Sequence, residues 1–212
     1  MQVFDIEDED ERMAGAEEEQ RQLGGAAAHV GRPRASRQAL LDAAAAVFMA
    51  SGVDAPVRQI AEKAGVGVGT IYRHFPTRPE LVVAVYRHQV EACADAGPQL
   101  LTESATPEAA LRAWVTLFVE FLATKHGLAG SLHGSSAEAD ALHAYFVGRL
   151  VPVCGALLEA ALKSADTPAL IDPYNLLKGI GNLCIGASHD PKYKADHLVQ
   201  LLISGVLSRG AE

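Results

Sequence analysis

Four side chains that can donate hydrogen bonds to an anion or to a nucleic-acid base stand within five consecutive positions: Thr70, Tyr72, Arg73 and His74. Hydroxyl and imidazole groups can donate to phosphate oxygens, and the guanidinium of Arg73 can form two hydrogen bonds with the edge of a guanine in the major groove. Gly67 and Gly69 permit close approach of a backbone, and the free N–H groups of a helix N-terminus attract phosphate. These residue types favour contact with DNA.

Two short helices joined by a tight turn would position these side chains. Val57–Ala64 carries apolar residues at helical spacing, and Val68–His74 forms a second helix that contains the polar group. Gly65 stands between them, where the chain must enter a left-handed conformation to leave the first helix. Ile71 and Phe75 face the core and hold the second helix in place. The segment therefore has the pattern of a helix-turn-helix.

A longer stretch of sequence is more specific than the helix pair. Residues 64–81 read AGVGVGTIYRHFPTRPEL, and residues 37–56 read RQALLDAAAAVFMASGVDAP. They resemble the signature of the TetR family of bacterial transcriptional regulators, from Arg37 to about Tyr86. The resemblance implies an all-α fold, with an N-terminal three-helix helix-turn-helix domain and a helical C-terminal domain for ligand binding and dimerisation. It also implies a homodimeric repressor that binds a palindromic DNA operator and is released by a small-molecule effector.

The resemblance assigns contacts with DNA to individual residues. Arg73 would read bases, helped by the close approach of Val68 and Gly69. A second group would contact phosphates: Thr70, Tyr72, His74 and Arg78. The family usually has Ser or Thr at the position of Ala55, so Arg58 is expected to supply part of that contact.

The residues before the first helix differ in charge from those that follow. Residues 1–31 hold nine acidic residues and two arginines, and we expect a disordered acidic tail. Such a tail is either a solvated leader or a segment that competes with DNA for the basic domain, and translation could also begin at Met13. Three arginines then form either a basic arm or a charged linker: Arg32, Arg34 and Arg37.

The net charge of −8 is unusual for a protein that binds DNA, but it is unevenly distributed. Residues 1–31 carry −7, residues 32–90 carry +4 and residues 91–212 carry −5. Phosphate neutralisation is a local effect, so a basic segment can bind DNA within an acidic chain. We predict three parts: the acidic tail (1–31), a helix-turn-helix DNA-binding domain (32–80) and a helical effector-binding and dimerisation domain (81–212).

Apolar periodicity and capping signals predict further helices. Thr77, Thr106 and Asp172 are each followed by a proline within the expected first turn, which is typical of a helix start. Pro152 is expected to kink the helix that contains it. The predicted ranges are Ser36–Ser51, Arg78 to Cys93 or a little beyond, Pro107–Lys125, Gly127–His133, Ser135–Ser164, Tyr174–Ser188 and Ala195–Ser208.

In the resembled family, a space between the middle helices holds the effector. Seven residues are candidates to face it, although ordinary core packing produces the same apolar spacing: Trp114, Phe118, Phe121, His126, His133, Phe146 and Cys154. The last two helices of that family pair with their copies across a twofold axis. Their apolar residues are candidates for the dimer interface: Leu176, Ile180, Leu183, Leu198, Leu201 and Leu202.

The sequence lacks the common motifs of an enzyme, and we expect no catalysis. The eight histidines and three cysteines show no metal-ligand spacing, so we expect no metal and no cofactor. Neither a nucleophile elbow, a Walker loop nor a dinucleotide fingerprint occurs. One alternative remains open: a DNA-binding dimer without a small-molecule effector, controlled by a partner protein or by the redox state of its cysteines.

Three features concern the compartment. An odd number of cysteines argues against a disulfide framework, and the N-terminus is acidic where a signal peptide would be basic. No apolar run approaches the roughly 20 residues of a membrane span. We expect a cytoplasmic protein.

Overall fold

Eight α-helices make up the part of the chain that the structure describes. The computed structural model describes residues 36–129, 136–166, 171–185, 190 and 192–208, with side chains for all of these except 123–129 and 136–138. The helices are α1 (Arg37–Ser51), α2 (Val57–Ala64), α3 (Val68–His74), α4 (Arg78–Glu103), α5 (Pro107–Ala129), α6 (Ser136–Ala165), α7 (Pro173–Cys184) and α8 (Ala195–Leu207). These residues form no strand, and the all-α class is confirmed. We call α1–α3 the head and α4–α8 the body.

Local signals set the helix boundaries in the head. The Ser36 hydroxyl oxygen caps α1 by accepting a hydrogen bond from the Ala39 N–H at 3.1 Å. Gly52 and Gly65, which follow α1 and α2, have φ of 78° and 67°, a conformation that favours glycine. Thr77 caps α4 as Ser36 caps α1. Because these signals are local, the predicted bounds of α1, α2 and α3 agree with the structure within one residue.

The core of the head holds α3 in place. Leu40 of α1, Ile60 of α2 and Ile71 of α3 belong to one buried cluster. Their exposed fractions are 0%, 0% and 1%, and the ring of Phe75, directly after α3, is exposed by only 2%. Burial of one such side chain contributes roughly 1.5–3 kcal/mol. One face of this short helix is therefore fixed, which leaves the opposite face for other contacts.

Aromatic side chains occupy the centre of the body. Trp114 on α5 is fully buried, and its indole N–H donates to the backbone carbonyl of Cys93 on α4 at 2.8 Å. Its ring stacks on Phe118, with centroids 5.7 Å apart and ring planes at 1°. The Phe118 ring lies 5.9 Å from that of Phe146 on α6. These contacts join α4, α5 and α6.

Helix α4 continues from the predicted end at Cys93 to Glu103, with Pro98 inside it. Glycine followed by proline locally predicts the end of a helix. Here Gly97 is buried against α6, where a Cβ would collide with the Cγ1 of Val153. Close packing of α4 on α6 therefore compensates for the weak helix propensity of this pair.

Two further boundaries differ from prediction. Helix α5 continues to Ala129, so the start of the predicted helix Gly127–His133 belongs to α5, and residues 130–133 lie outside the described residues. Helix α7 ends at Cys184 instead of Ser188, and residues 186–189 also lie outside them. The kink at Pro152 stays a prediction.

Helix α6 corrects the expectation that no segment is long and apolar enough for a membrane span. An 18-residue window within residues 139–165 has a mean hydropathy of 1.5, and the segment passes that test by length and composition. Isolated charged residues interrupt the apolar run, which is why the sequence does not show it as continuous. Leu150, Cys154 and Leu157 of this segment are each 0% exposed. Burial in the body accounts for part of the apolar character, since 33% of that window is buried.

Candidate functional site

Helix α3 exposes the polar group that the sequence predicts for contact with DNA. Ile71 points into the core, while Val68 and Tyr72 are exposed by 36% and 48%. Arg73 and His74 are also exposed, and Thr70 is half-buried. The helix therefore exposes its polar residues on the side opposite to the buried Ile71.

The guanidinium of Arg73 lies along its own helix. Its Nε donates to the Gly69 carbonyl at 3.3 Å, and a terminal nitrogen donates to the Thr70 hydroxyl at 3.4 Å. Both hydrogen bonds are long and exposed, so they are weak. Arg73 could therefore give up these two hydrogen bonds and bind the edge of a base at a small cost in free energy.

The surface over the first turn of α3 is open. A Cβ placed on Gly67 or Gly69 would meet no atom within 4 Å. Among the described residues, the space that a side chain would occupy at these two glycines is therefore empty.

Arg37, the first residue of α1, reaches the end of α3. Its guanidinium carbon lies 5.0 Å from the centroid of the Phe75 ring. The structure thus brings one predicted arm residue beside the predicted DNA-reading helix. The other two, Arg32 and Arg34, lie outside the described residues.

Arg58 is exposed and forms an ion pair within α2. Its Nε lies 2.9 Å from the Glu62 carboxylate, one helical turn away, and the Arg58 side chain is 81% exposed. An exposed pair of this kind contributes little to stability. The guanidinium can therefore exchange this partner for a phosphate.

Arg78 donates hydrogen bonds within its own chain, and its phosphate contact stays a prediction. Its guanidinium donates to the backbone carbonyls of Val53 and Ala55 in the α1–α2 loop, the latter at 2.8 Å. It also lies 5.9 Å from the ring centroid of Phe48. These carbonyls lie in a loop, outside helix hydrogen bonding, so Arg78 serves as their donor and fixes the loop to α4.

Most candidates for an effector pocket are part of the packed core. Trp114, Phe121 and Cys154 are at most 4% exposed, and none of them lines an open cleft of about 160 Å³ between α5, α6 and α7. Phe118 and Phe146 do line it. The side chain of His126 is not described, and His133 lies outside the described residues.

The cleft contains polar residues that the apolar stripes do not reveal. Four of its lining residues were not predicted from the sequence: His143, Tyr174, Lys178 and Asn182. Tyr174, Lys178 and Asn182 recur every four residues along α7, which is the only signal in the sequence that places them on one face.

Comparisons with known proteins agree with this geometry. Residues 40–85 match the family described as bacterial regulatory proteins, tetR family, and residues 106–208 match the SbtR-like transcriptional regulator C-terminal domain. The crystal structure of the TetR transcriptional regulator SCO0520 from Streptomyces coelicolor is 32% identical, with a TM-score of 0.72 over 82% of this chain and 99% of that chain.

The chain belongs to the TetR family.

Two curated relatives match shorter segments. TtgW, an uncharacterized HTH-type transcriptional regulator of Pseudomonas putida, is 39% identical over 95 residues, or 43% of this chain and 63% of TtgW. The HTH-type transcriptional repressor KstR of Mycolicibacterium smegmatis is 39% identical over 59 residues, or 27% of this chain and 29% of KstR. The chain thus spans less than two thirds of the length of either relative.

This chain is a transcriptional regulator with a helix-turn-helix DNA-binding domain.

The structure divides the candidates for the TetR-type dimer interface. Leu176 and Ile180 are each 0% exposed within one chain, so they cannot contact a second copy, and this prediction is corrected. They face inward because they continue the apolar stripe of α7 that packs on the body. Leu201 is 55% exposed, whereas Leu183 and Leu202 are half-buried. Leu198 is exposed.

Polar contacts join α4 of this TetR-family chain to α1 in the head and to α6 in the body. The His88 imidazole is hydrogen-bonded to Gln38 at 3.0 Å and to Asp42 at 2.6 Å, both on α1. Further along α4, the Glu91 carboxylate accepts hydrogen bonds from Arg149 of α6, with Nε at 2.9 Å and 3.0 Å from its two oxygens, and from the Tyr145 hydroxyl. The bonds from Arg149, and then that from Tyr145, lower the pKa of Glu91. Helix α4 is therefore fastened to the head and to the body.

The three cysteines are buried free thiols. Burial raises the pKa of Cys93 and of Cys154 to about 12, and the pKa of Cys184 is also raised, by burial and then by Asp196. A protonated thiol is a poor nucleophile. None of these three cysteines is therefore a reactive thiol that would support the alternative of control by cysteine redox chemistry.

Among the described residues, no three acidic, histidine or cysteine side chains are grouped to hold a metal.

Proposed function

We propose that this protein is a cytoplasmic transcriptional repressor that binds a palindromic operator as a homodimer and is released by a small-molecule effector. The observation that carries the DNA-binding part is the exposed polar face of α3, with Tyr72 48% exposed above the buried Ile71. The relative KstR is a transcriptional repressor, which supports repression rather than activation. Neither a metal nor a catalytic step is part of this proposal.

The head, together with Arg37, would contact one half-site of the operator. Arg73 would exchange its two long hydrogen bonds for a guanine edge in the major groove. Val68 and Gly69 would lie against the bases, and the phosphate contacts would come from the remaining members of the exposed group: Arg37, Arg58, Thr70, Tyr72 and His74. Arg32 and Arg34 would extend this basic surface. Arg78 would also act indirectly, by fixing the α1–α2 loop.

A second copy would dock on the exposed parts of α7 and α8. Leu201 is 55% exposed, and Leu183, Leu198 and Leu202 lie on the same two helices with at least part of their surface accessible. A twofold dimer would present two copies of α3 to major grooves about 34 Å apart on one face of the DNA. Two half-sites of a palindrome would thereby be read at once.

Release would follow from movement of the body that changes the position of the head. The cleft is walled by α5, α6 and α7. Helix α6 holds Glu91 of α4 through Arg149, and α4 holds α1 through His88. An effector that favours a different position of α6 would shift α4 and alter the spacing of the two copies of α3, which lowers operator affinity by linkage.

Three parts of the chain would carry these roles: the acidic tail (1–31), the DNA-binding domain (32–80) and the effector-binding and dimerisation domain (81–212). The matched families at residues 40–85 and 106–208 support the last two parts. The tail lies outside the described residues, and its competition with DNA is a separate hypothesis. If it is correct, deletion of residues 1–28 tightens operator binding, and unchanged affinity would contradict it.

Fluorescence anisotropy with operator DNA tests the base-reading role. The operator is first obtained by gel shift against the promoter region of the protein's own gene, or by selection from random DNA. Arg73→Ala should weaken operator binding by about 1–3 kcal/mol and relax base preference, because one bidentate contact is lost. Tyr72→Phe should weaken all sequences alike, because a phosphate contact carries no sequence information.

Lys163→Ala is the matched control, because this exposed cation lies on α6 in the body. It should leave the affinity and the base preference unchanged. The base-reading role of Arg73 is wrong if Arg73→Ala binds every site as the natural protein does.

A further inference from the structure

We infer that the cleft between α5, α6 and α7 binds a small amphipathic anion, of which a carboxylic acid with one ring or a short chain is the simplest example. This inference rests on the proposed function, because it names the chemical class of the effector. It stands on three features of the cleft: its floor, its charge and its size.

The floor of the cleft is apolar and aromatic. Phe146 forms it together with Leu122, Val151 and Leu177, and the fully buried ring of Phe118 supports it, with its centroid 5.9 Å from that of Phe146. A surface of this kind binds the apolar part of a ligand by removing it from water.

The charge of the cleft comes from Lys178. No carboxylate occurs among the described residues that line it. None of the ion pairs of the described side chains involves Lys178, so its ammonium has no opposing charge there. The Asn182 amide and the His143 imidazole line the same cleft and offer hydrogen bonds. An anion would complete this arrangement, whereas a cation would be repelled.

The volume of the cleft limits the ligand. It measures about 160 Å³. A cavity of roughly 150 Å³ lined by apolar side chains holds one benzene ring. The cleft therefore fits a body of one six-membered ring, with the charged group directed to Lys178.

The cleft has a position at which it can be filled. Gly181 of α7 lines it, and a Cβ placed there would meet no atom within 4 Å. A leucine at this position would extend into the space that the ligand needs. Because alanine favours a helix more than glycine does, Gly181→Ala should be tolerated and supplies a second, milder variant.

Cyclohexanecarboxylate and cyclohexanecarboxamide are the probes, because they have nearly the same shape and differ in charge. Calorimetric titration of the full chain at neutral pH measures their affinities. The single tryptophan, Trp114, reports the position of binding, since its ring stacks on Phe118, which supports the floor, and its emission should change. We expect the carboxylate to bind about five- to twentyfold more tightly than the amide, as a partly exposed charge-assisted contact would give.

The variants test the assignment of each part. Lys178→Met should reduce the preference for the carboxylate to near unity, and the control Lys163→Met should preserve it. Gly181→Leu should abolish binding of both probes while its helical circular dichroism stays unchanged. If Gly181→Leu does not fold, the carboxylate preference of Lys178→Met still decides the result.

The inference is overturned if the amide binds as tightly as the carboxylate, if Lys178→Met keeps the preference, or if neither probe binds the natural protein. It is also overturned if Gly181→Leu folds and binds both probes normally. Operator binding is measured separately in the presence of the carboxylate. Binding in the cleft without release of DNA would support the anion site and contradict the proposed release, so the two failures can be distinguished.

Discussion

The head and the body use the same kind of element in opposite ways. In the head, the seven-residue α3 buries Ile71 and exposes the polar group that surrounds it. In the body, α5 buries Trp114 and Phe118 completely, and only the edge of this aromatic core borders a cleft. The head thus has its candidate DNA-contact residues on the outside of a small core, whereas the candidate cleft of the body lies at the edge of a large one. Substitutions of exposed residues in the head should therefore change function without changing stability. Substitutions in the body should change both together.

The largest effect is expected for Trp114→Ala in the body. Loss of a fully buried aromatic side chain and of its hydrogen bond to the Cys93 carbonyl should lower the free energy of unfolding by about 3–5 kcal/mol. Urea unfolding followed by circular dichroism measures this. Leu117→Ala on the same helix is the control, because Leu117 is 39% exposed, and it should cost about 1 kcal/mol or less. A loss below about 1 kcal/mol for Trp114→Ala would remove the contrast with the head.

An intermediate effect is expected for Arg78→Met, at the boundary between head and body. Removal of the hydrogen bonds to the Val53 and Ala55 carbonyls should lower the free energy of unfolding by about 1.5–3 kcal/mol. Arg58→Met, which removes an exposed guanidinium, should change it by less than about 0.5 kcal/mol. If Arg78→Met keeps full stability and weakens DNA binding, the result supports the predicted contact between Arg78 and a DNA phosphate.

The smallest effect is expected for Glu91→Gln, which weakens the link between α4 and α6. Both side chains of the Glu91–Arg149 pair are largely accessible, at 36% and 44%, so solvent screens the interaction. The unfolding midpoint should fall by about 1–3 °C at neutral pH. Operator binding should become less sensitive to an effector, because the body is then less tightly coupled to α4.

The same pair predicts the direction of a pH dependence. Arg149, and then Tyr145, lower the pKa of Glu91 in the folded protein. The stabilisation is therefore fully present above the unfolded pKa of about 4.3 and is lost as the pH falls through the lower folded pKa. The difference in stability between the natural protein and Glu91→Gln should shrink when urea unfolding is repeated below about pH 4. A difference that is constant down to that pH would show that Glu91 does not act through its charge.

Much of the head could be predicted because its signals are local. Gly52 and Gly65 end helices through their own backbone conformation, and Ser36 caps one through a neighbour three residues away. Ile71 and the exposed residues around it follow from helical spacing alone. Arg78 is the exception, since its partners lie 25 and 23 positions earlier in the chain. Nothing in the local sequence separates a guanidinium that binds phosphate from one that binds a loop.

Less of the body could be predicted, because apolar residues at helical spacing can have several structural roles and the spacing does not distinguish between them. Trp114 and Phe146 are both candidates for the effector pocket, yet Trp114 is entirely core, whereas Phe146 is 7% exposed and lines the cleft. Ile180 and Leu201 were both candidates for the dimer interface, but Ile180 is fully buried and Leu201 is 55% exposed. An apolar side chain at helical spacing can pack on its own chain, line a cleft or face a second copy. The packing of neighbouring helices decides between these uses.

The polar residues of the cleft show the same limit. Lys178 and Asn182 lie one helical turn apart on α7, and in the sequence they have the appearance of an ordinary solvated face. His143 belongs to a different helix, and only the packing of α6 against α7 brings it to the same cleft. A site built from three helices therefore has no signature in any one of them.

The sequence by itself determined the family, the all-α class, the bounds of α1 to α3 and the identity of the exposed group on α3. It could do so because glycine conformation, helix caps and helical periodicity act over a few residues. The tertiary structure alone decided that Arg78 fixes a loop, that α4 continues through Gly97 and Pro98, and that Lys178 borders an aromatic cleft. These properties depend on contacts between residues distant in the chain, and such contacts exist only once the helices have packed.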